Sequence, residues 1–372
     1  MLKSDKRNSS IELLKIAAII MIVLSHAMPF ELSSQADCPD YVMNLNNATP
    51  SIQRFVITIF RYMGQLGNAV FVVCSSWFLL DSNTTSVKKV FHMIADCFII
   101  SVAWLLIVLA LGYNVSLSDI VGSIMPVTFM RYWFVGCYIL LYLAHPLLNI
   151  IINTIDKRKL LSVNLVLIIL YCGVNFLLPN TYYYTRFVGF ICIYFITAYM
   201  KKYMTGFRTD KRANYIMLAV SAVCALAMVL FTNFLGMRIS IFSGMLQRWN
   251  VFINPFFVMI SLSMFNLAKS HDFKNKAVNY ISGMSLLIYI IHNNRLLMEK
   301  IKTSFFGWVY TTYSYSAELL WVVVFGIILF AGSLAAGFVY KATLQKAVVK
   351  FCDFVYAPMK KAAGKLIDRL TK

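Results

Sequence analysis

The sequence predicts an all-α integral membrane protein with about ten transmembrane helices and both termini in the cytoplasm. Only 13% of the 372 residues are charged, 60% are hydrophobic, and the mean hydropathy is +0.72. A soluble domain carries about 25% charged residues. The apolar residues fall into ten runs of about twenty residues, which is the length a helix needs to cross a bilayer. The basic residues concentrate in alternate connecting segments, as expected for cytoplasmic loops.

The ten predicted spans follow one another with short connections. They cover residues 11–29, 58–80, 90–112, 127–152, 160–178, 187–204, 214–235, 249–267, 278–298 and 318–340. With the N-terminus in the cytoplasm, the inner segments hold 25 of the 34 Lys and Arg residues and the outer segments hold nine. This excess is the positive-inside pattern. The net charge of +19 does not indicate a nucleic-acid-binding protein, because the basic residues form short clusters between apolar runs.

The chain is predicted to form one membrane domain over residues 1–340 and a basic amphipathic cytoplasmic tail over residues 341–372. The basic N-terminus resembles a signal peptide, but no small-x-small cleavage site follows His26, which favours a retained span. Six of the eight cysteines lie inside apolar runs without a CxxC pair, and Cys38 is expected outside. This pattern predicts neither a disulfide framework nor a metal site.

Ionisable residues form a stripe along the first span. Lys15 and His26 are eleven positions apart, which places them about 20° apart around a helix and about 16 Å apart along its axis. Glu12 falls near the same stripe. Buried ionisable groups in a membrane helix indicate a functional site. His26 is the candidate general base, since an imidazole with a near-neutral pKa suits proton transfer from a hydroxyl. Glu12, three positions before Lys15, is the second candidate catalytic residue.

Basic residues near the cytoplasmic ends are candidates for binding a phosphate-bearing donor. Lys15 and Arg7 lie at the start of the first span, and Lys88 and Lys89 precede the third. Phosphate recognition requires convergent cations. The alternative is that Lys15 extends to the inner headgroups and that the loop lysines serve as topology signals.

A second group of candidates lies towards the predicted outer side. It comprises Arg131, Tyr132, Trp133, His292 and Asn293. His292 falls at about the depth of His26, so it is either a proton-relay partner or a structural histidine. Aromatic residues beside polar groups in the outer loops, at 179–186 and 304–315, suit a carbohydrate acceptor or an interfacial belt. A polar outer segment covers residues 31–50.

Several segments resemble the acyltransferase family 3 of bacterial integral membrane proteins. The Lys15–His26 spacing, with Glu12 in IELLK, is similar to the family's first span. FVVCSSWFLL resembles its F-x-x-S-G-aromatic pattern, with Ser76 where glycine is usual, and VKKVFH partly matches a basic loop motif. RYWFVGCYILLYLAHPLLN and SGMSLLIYIIHNN, which ends with His292 in the histidine position, resemble two later segments. The likeness extends from Arg7 to about Tyr340.

The resemblance implies a membrane O-acyltransferase of the bacterial cytoplasmic membrane. It implies acyl-CoA, most often acetyl-CoA, as a co-substrate on the cytoplasmic side, with no tightly bound cofactor. The acceptor would be a hydroxyl of an envelope polysaccharide or of a lipid-linked glycan. From the residues alone, a transporter or flippase of lipid-linked saccharides and a saccharide polymerase remain alternatives. A flippase favours more basic residues lining a cavity in mid-span, and a polymerase favours longer outer loops.

Overall fold

The computed structural model describes residues 7–28, 52–174, 186–235, 238–239, 249–313 and 317–370. Within these ranges the chain is helical, and no strand occurs. The helices are α1 Ser9–Ala27, α2 Ile52–Leu79, α3 Val87–Ala110, α4 Leu117–Ile124, α5 Trp133–Thr154, α6 Lys157–Leu167, α7 Arg186–Tyr203, α8 Thr205–Thr209, α9 Lys211–Phe234, α10 Pro255–Ser270, α11 Lys276–Ser282, α12 Ser285–His292, α13 Thr303–Thr312, α14 Glu318–Thr343 and α15 Gln345–Leu370. Two π-helical segments cover Ile168–Val174 and Leu297–Lys302.

Six helices in the described ranges are long and apolar enough to cross a membrane. They are Ser9–Ala27, Phe55–Leu79, Val87–Ala110, Trp133–Thr154, Lys211–Phe234 and Glu318–Thr343. The other four predicted spans also coincide with helices, but these are shorter, more polar or interrupted. The number of ten spans and the cytoplasmic position of the termini therefore stay predictions.

The exposed and buried faces of the long helices have the polarity of a membrane protein. On α5 the exposed residues before the last turn are large and apolar, at positions three or four apart: Leu140, Leu143, Leu147 and Ile150. The opposite face buries His145 and Asn149 almost completely. A soluble helix shows the reverse arrangement, whereas polar side chains of membrane helices face the bundle interior. The chain is therefore a multi-pass membrane protein.

The first helix lies at the centre of the bundle. Helix α1 packs against α2, α10, α11, α12 and α14. Two glycines of α2 permit the closest of these contacts, since a Cβ on Gly67 would lie 2.6 Å from the Ala18 carbonyl oxygen and a Cβ on Gly64 would lie 2.4 Å from Ser25 Oγ. Small residues allow membrane helices to approach in this way. The Ser25 hydroxyl adds a hydrogen bond to the Arg61 carbonyl at 3.0 Å.

Two predicted spans differ from the observed helices. The fourth was expected from residue 127, but residues 125–132 form turns, including Met130 at φ 55°, and α5 begins at Trp133. The ninth, expected as one helix over 278–298, is divided into α11 and α12 at Gly283. It is interrupted again after His292, where the Asn294 side chain accepts a hydrogen bond from the Leu296 amide. Local side-chain caps of this kind compete with continuation of a helix.

The tail forms the helix α15, which packs against α3. The Asp353 carboxylate forms an ion pair with Lys88 Nζ at 2.8 Å and lies 3.1 Å from His92 Nε2. The Lys88 hydrogen bond holds the pKa of the Asp353 carboxyl below its usual range. Residues 31–50, with Cys38, and residues 179–185 and 314–316 of the predicted outer loops lie outside the described residues.

Candidate functional site

Two histidines meet where α1 and α12 end. His26 lies in the last turn of α1, and His292 is the final residue of α12. His26 Nδ1 lies 3.0 Å from His292 Nε2, and His292 Nδ1 lies 2.6 Å from the Ile288 carbonyl oxygen. The His292 side chain is fully buried. The stripe on the first helix and the histidine of the ninth predicted span thus form one hydrogen-bonded pair.

The hydrogen-bond partners assign the tautomers of the pair. The Ile288 carbonyl only accepts, so His292 Nδ1 carries a hydrogen. For two neutral imidazoles, His292 Nε2 then accepts from the Nδ1–H of His26. This leaves the lone pair of His26 on Nε2. That nitrogen is the basic atom of the pair, and His292 with its carbonyl partner stabilises positive charge that develops on His26, as an orienting group does beside a general base.

A buried lysine fixes the backbone next to His26. Lys302 Nζ donates to the carbonyl oxygens of His26 at 3.2 Å and Met28 at 3.1 Å, and the side chain is 1% exposed. Carbonyl groups at the C-terminal end of a helix lack intrahelical partners, and a cation there also complements the helix dipole. Lys302 therefore ties the end of α1 to the segment that follows His292.

Charged and polar side chains meet again near the start of α1. Lys15 Nζ lies 3.3 Å from Glu12 Oε1, and the Ser282 hydroxyl donates to Glu12 Oε2 at 2.5 Å. The side chain of Glu12 is 8% exposed and that of Lys15 is 23% exposed. Glu12 is thus held by two partners, while the Lys15 amine remains accessible.

Two adjacent cavities run along α1 from this charge pair towards the histidines. The first, of about 680 Å³, opens at the N-terminal end of α1. Its polar lining comprises Arg7, Asn8, Glu12, Lys15, Lys269, Asp272 and Ser282, beside Trp77 and Phe78. The second, of about 300 Å³, shares Lys15, Ser282 and Gly283 with the first and extends past Ile22 to Tyr289. The Tyr289 ring packs edge-on against His292 with centroids 5.8 Å apart.

Cations converge around the indole of Trp77, which lines the first cavity. Lys201, Lys269 and Arg208 lie 4.6, 4.9 and 5.4 Å from the ring centroid. Asp81 pairs with Lys201 at 2.6 Å. Cations over an aromatic face are favourable individually, but three beside one carboxylate leave a positive excess. The combination suits a polyphosphate.

The structure separates the four predicted donor-binding cations into two groups. Arg7 and Lys15 line the first cavity. Lys88 is engaged with Asp353 of the tail helix, and Lys89 is exposed on the same turn of α3. Neither lines the two cavities along α1.

The predicted acceptor-side residues contact neighbouring segments of the bundle. Arg131 donates to the Ser118 carbonyl at 2.9 Å and lies 3.8 Å from the Asp119 carboxylate. The Tyr132 hydroxyl accepts a hydrogen bond from Asn294 at 2.9 Å.

The other two are likewise engaged within the bundle. The Trp133 ring stacks under the Arg186 guanidinium at 4.6 Å. Asn293 donates to the Tyr289 hydroxyl at 3.0 Å. Tyr132 and Asn293 thus fix the turn after His292 and the ring beside it.

Sequence reasoning did not single out Lys302 or Lys269, and it noted Trp77 only as the aromatic residue of the FVVCSSWFLL segment. One signal for Lys302 exists in the sequence. The residues four positions before and after it, Met298 and Phe306, are apolar and buried, so a helical pattern places Lys302 on the buried face. Trp77 and Lys269 are brought together only by the packing of α2 against α10.

Comparison with known proteins adds one match. The chain matches the family described as an acyltransferase domain over residues 8–338, which is most of its length. No curated protein and no solved structure matches it. The matched range contains the histidine pair, the buried lysine and every lining residue of the two cavities along α1 except Arg7. The chain therefore belongs to this acyltransferase family.

Proposed function

We propose that the protein transfers an acyl group, most simply acetyl, from coenzyme A to a hydroxyl of a cell-envelope glycan. The observation that carries this proposal is the hydrogen-bonded chain from Ile288 through His292 to His26, next to Tyr289, which lines the second of two cavities whose linings include cations. An acyl transfer to a hydroxyl needs a base for the nucleophile and a binding site for a large anionic donor. The two features lie at opposite ends of α1.

The length of coenzyme A agrees with the distance between Lys15 and His26. Lys15 and His26 are about 16 Å apart along α1. The pantetheine arm between the pyrophosphate and the thioester sulfur contains about twelve bonds, which corresponds to about 14 Å of extended chain. Pyrophosphate near Lys15, Arg7 and Lys269 would therefore bring the thioester close to His26. The second cavity, which borders Ile22 and Tyr289, is the path for the arm.

The proposed reaction has one nucleophile and one leaving group. His26 Nε2 takes the proton of the acceptor hydroxyl while the oxygen attacks the thioester carbonyl. The new ester forms as the C–S bond breaks, and the proton passes from His26 to the departing thiolate to give free coenzyme A. His292 holds His26 Nδ1 and stabilises the imidazolium. Glu12 lies near Lys15 rather than near His26, so its contribution is to hold that lysine.

The distribution of Lys and Arg along the sequence supports an orientation with the donor site on the cytoplasmic side. The basic N-terminus and the cation cluster at Trp77 belong on the cytoplasmic side by the positive-inside rule, where acyl-CoA is made. The acceptor would approach the histidine pair from the opposite side of a bacterial cytoplasmic membrane. Tyr132 and Asn293 act there as positioning residues, through Asn294 and Tyr289.

Two labels on the donor test the proposal in reconstituted vesicles. Protein in vesicles is supplied with coenzyme A thioester that carries one label on the acetyl group and another on the adenine, together with an envelope glycan preparation. Acetyl label in alkali-labile form on the glycan, without adenine label, is the expected result. Movement of a lipid-linked saccharide across the vesicle without ester formation would overturn the proposal in favour of a transporter.

A further inference from the structure

A long apolar groove lies between two of the membrane-spanning helices. Helix α3 forms one wall and α14 forms the other, and the end of α12 and the Leu297–Lys302 segment close its floor. The groove has a volume of about 580 Å³, and its lining is almost entirely aliphatic or aromatic. The lining residues do not overlap with those of the cavities along α1.

The groove opens towards the membrane along its length. Ile107, Ile328 and Val339 line it and are 43, 57 and 63% exposed. Between Phe325 and Leu344 the α14 wall extends about 28 Å, close to the roughly 30 Å thickness of a hydrocarbon core. A hydrocarbon chain is the chemistry that fits an apolar channel of this length open to lipid.

One end of the groove adjoins the histidine pair. The Trp104 indole, which lines it, donates to the Ile291 carbonyl at 3.0 Å, and Ile291 precedes His292. At the same end lies Ile301, next to the Lys302 that binds the His26 carbonyl. A chain lying in the groove with its polar head at this end would present that head beside the pair.

We propose that the groove binds the hydrocarbon tail of a lipid-linked acceptor, so that the acceptor reaches the histidines from within the membrane. The inference rests on the proposed function and specifies the class of its acceptor, a hydroxyl-bearing head on a long hydrocarbon anchor. Continuity with the histidine pair favours a substrate over a bulk lipid, since a bulk lipid needs no such contact. On this proposal, the residues that line the groove contribute to acceptor binding and do not contact the donor.

Photolabelling tests the occupant. The protein is reconstituted in phosphatidylcholine vesicles with a long-chain alkyl glycoside that carries a diazirine in its chain, and labelled peptides are mapped by mass spectrometry. A parallel sample contains diazirine-bearing phosphatidylcholine instead. We expect the glycoside to label the α3 and α14 walls severalfold more than the lipid-facing residues Ile216, Val220 and Val223 of α9, which are 54–65% exposed. Excess unlabelled alkyl glycoside suppresses this labelling, and the methyl glycoside does not.

Neighbouring isoleucines of α14 supply a matched pair of variants. Ile327 and Ile328 are 60 and 57% exposed, and only Ile328 lines the groove. Ile328→Trp is expected to lower groove labelling severalfold, whereas Ile327→Trp leaves it unchanged. Gly332→Leu provides a second blocking variant, because Gly332 lines the groove and a Cβ added there meets nothing within 4 Å.

Three results would overturn the inference. Groove labelling equal to that of α9, or equal labelling by phosphatidylcholine, would show that the groove holds only bulk lipid. Equal effects of Ile327→Trp and Ile328→Trp would show that the groove does not select the chain. If the groove is labelled specifically but the protein transfers no acyl group, the proposed function is wrong, and the tail in the groove does not belong to an acyl acceptor.

Discussion

Replacing Lys15 with methionine separates the structural role of its amine from its role in binding the donor. The change leaves the Glu12 carboxylate, 8% exposed, hydrogen-bonded to the Ser282 hydroxyl but without its ion-pair partner. Breaking a buried ion pair costs about 3–5 kcal/mol, and an exposed pair contributes about 0–1 kcal/mol. Because Lys15 is 23% exposed, we expect Lys15→Met to lower the free energy of unfolding by about 2 kcal/mol.

A second substitution removes the uncompensated charge. In Lys15→Met/Glu12→Gln the amide oxygen can still accept the Ser282 hydrogen bond, so stability should return to within about 1 kcal/mol of the wild type. Thermal unfolding in detergent, followed by tryptophan fluorescence, measures this recovery, and calorimetric titration with acetyl-CoA measures donor affinity. The double variant should regain its unfolding temperature but still bind acetyl-CoA about tenfold more weakly. Wild-type affinity in the double variant would refute the assignment of Lys15 to the donor.

Two further predictions concern Lys302 and the tail. Lys302→Met removes the amine bound to the His26 carbonyl. It should lower kcat about tenfold with KM for acyl-CoA nearly unchanged, because His26 is then less well positioned while the donor site is intact. A rise in KM in proportion to the fall in kcat would contradict this. The pKa of Asp353 is lowered by its hydrogen bond with Lys88, so the contribution of this ion pair to the docking of α15 on α3 is fully present above the ordinary aspartate pKa of about 4 and is lost as the pH falls through the lower folded value. The protection of α15 amides, taken as the exchange rate relative to the intrinsic rate at the same pH, should fall over that acidic range, and Asp353→Asn should show the lower protection already at neutral pH; protection that changes neither with pH nor with Asp353→Asn would argue against this contact.

The sequence was sufficient for the membrane class and the family, and for the position of the stripe on α1. These depend on local patterns, since apolar runs, helical periodicity and short motifs are properties of neighbouring residues. His26 and Lys15 were found because their spacing places them on one helix face. The contact between the two histidines depends on the packing of α1 against α12. The sequence predicts only that His292 lies at about the same depth in the membrane as His26.

The remaining parts of the site depend on contacts that the sequence does not specify. The charge count placed Lys302, together with Lys300, in an outer segment, because both follow the ninth predicted span. The cation cluster at Trp77 requires α2, α7 and α10 to meet at one end of the bundle. Lys88 and His92 lie four positions apart on α3, and both contact Asp353 of the tail helix. The pattern of α3 alone does not specify this partner.

The central claim is that His26 acts as the base, and single-turnover acyl transfer tests it most directly. His145 is the matched control, because it is a buried histidine of α5 whose Nδ1 also lies 2.6 Å from a carbonyl oxygen, that of Tyr142, and it does not line either cavity along α1. With equal amounts of folded protein and saturating labelled acetyl-CoA, His26→Ala should slow ester formation by about 10²–10⁴-fold, and His145→Ala should leave it within a few-fold of the wild type. Ester formation at the wild-type rate in His26→Ala would contradict the account.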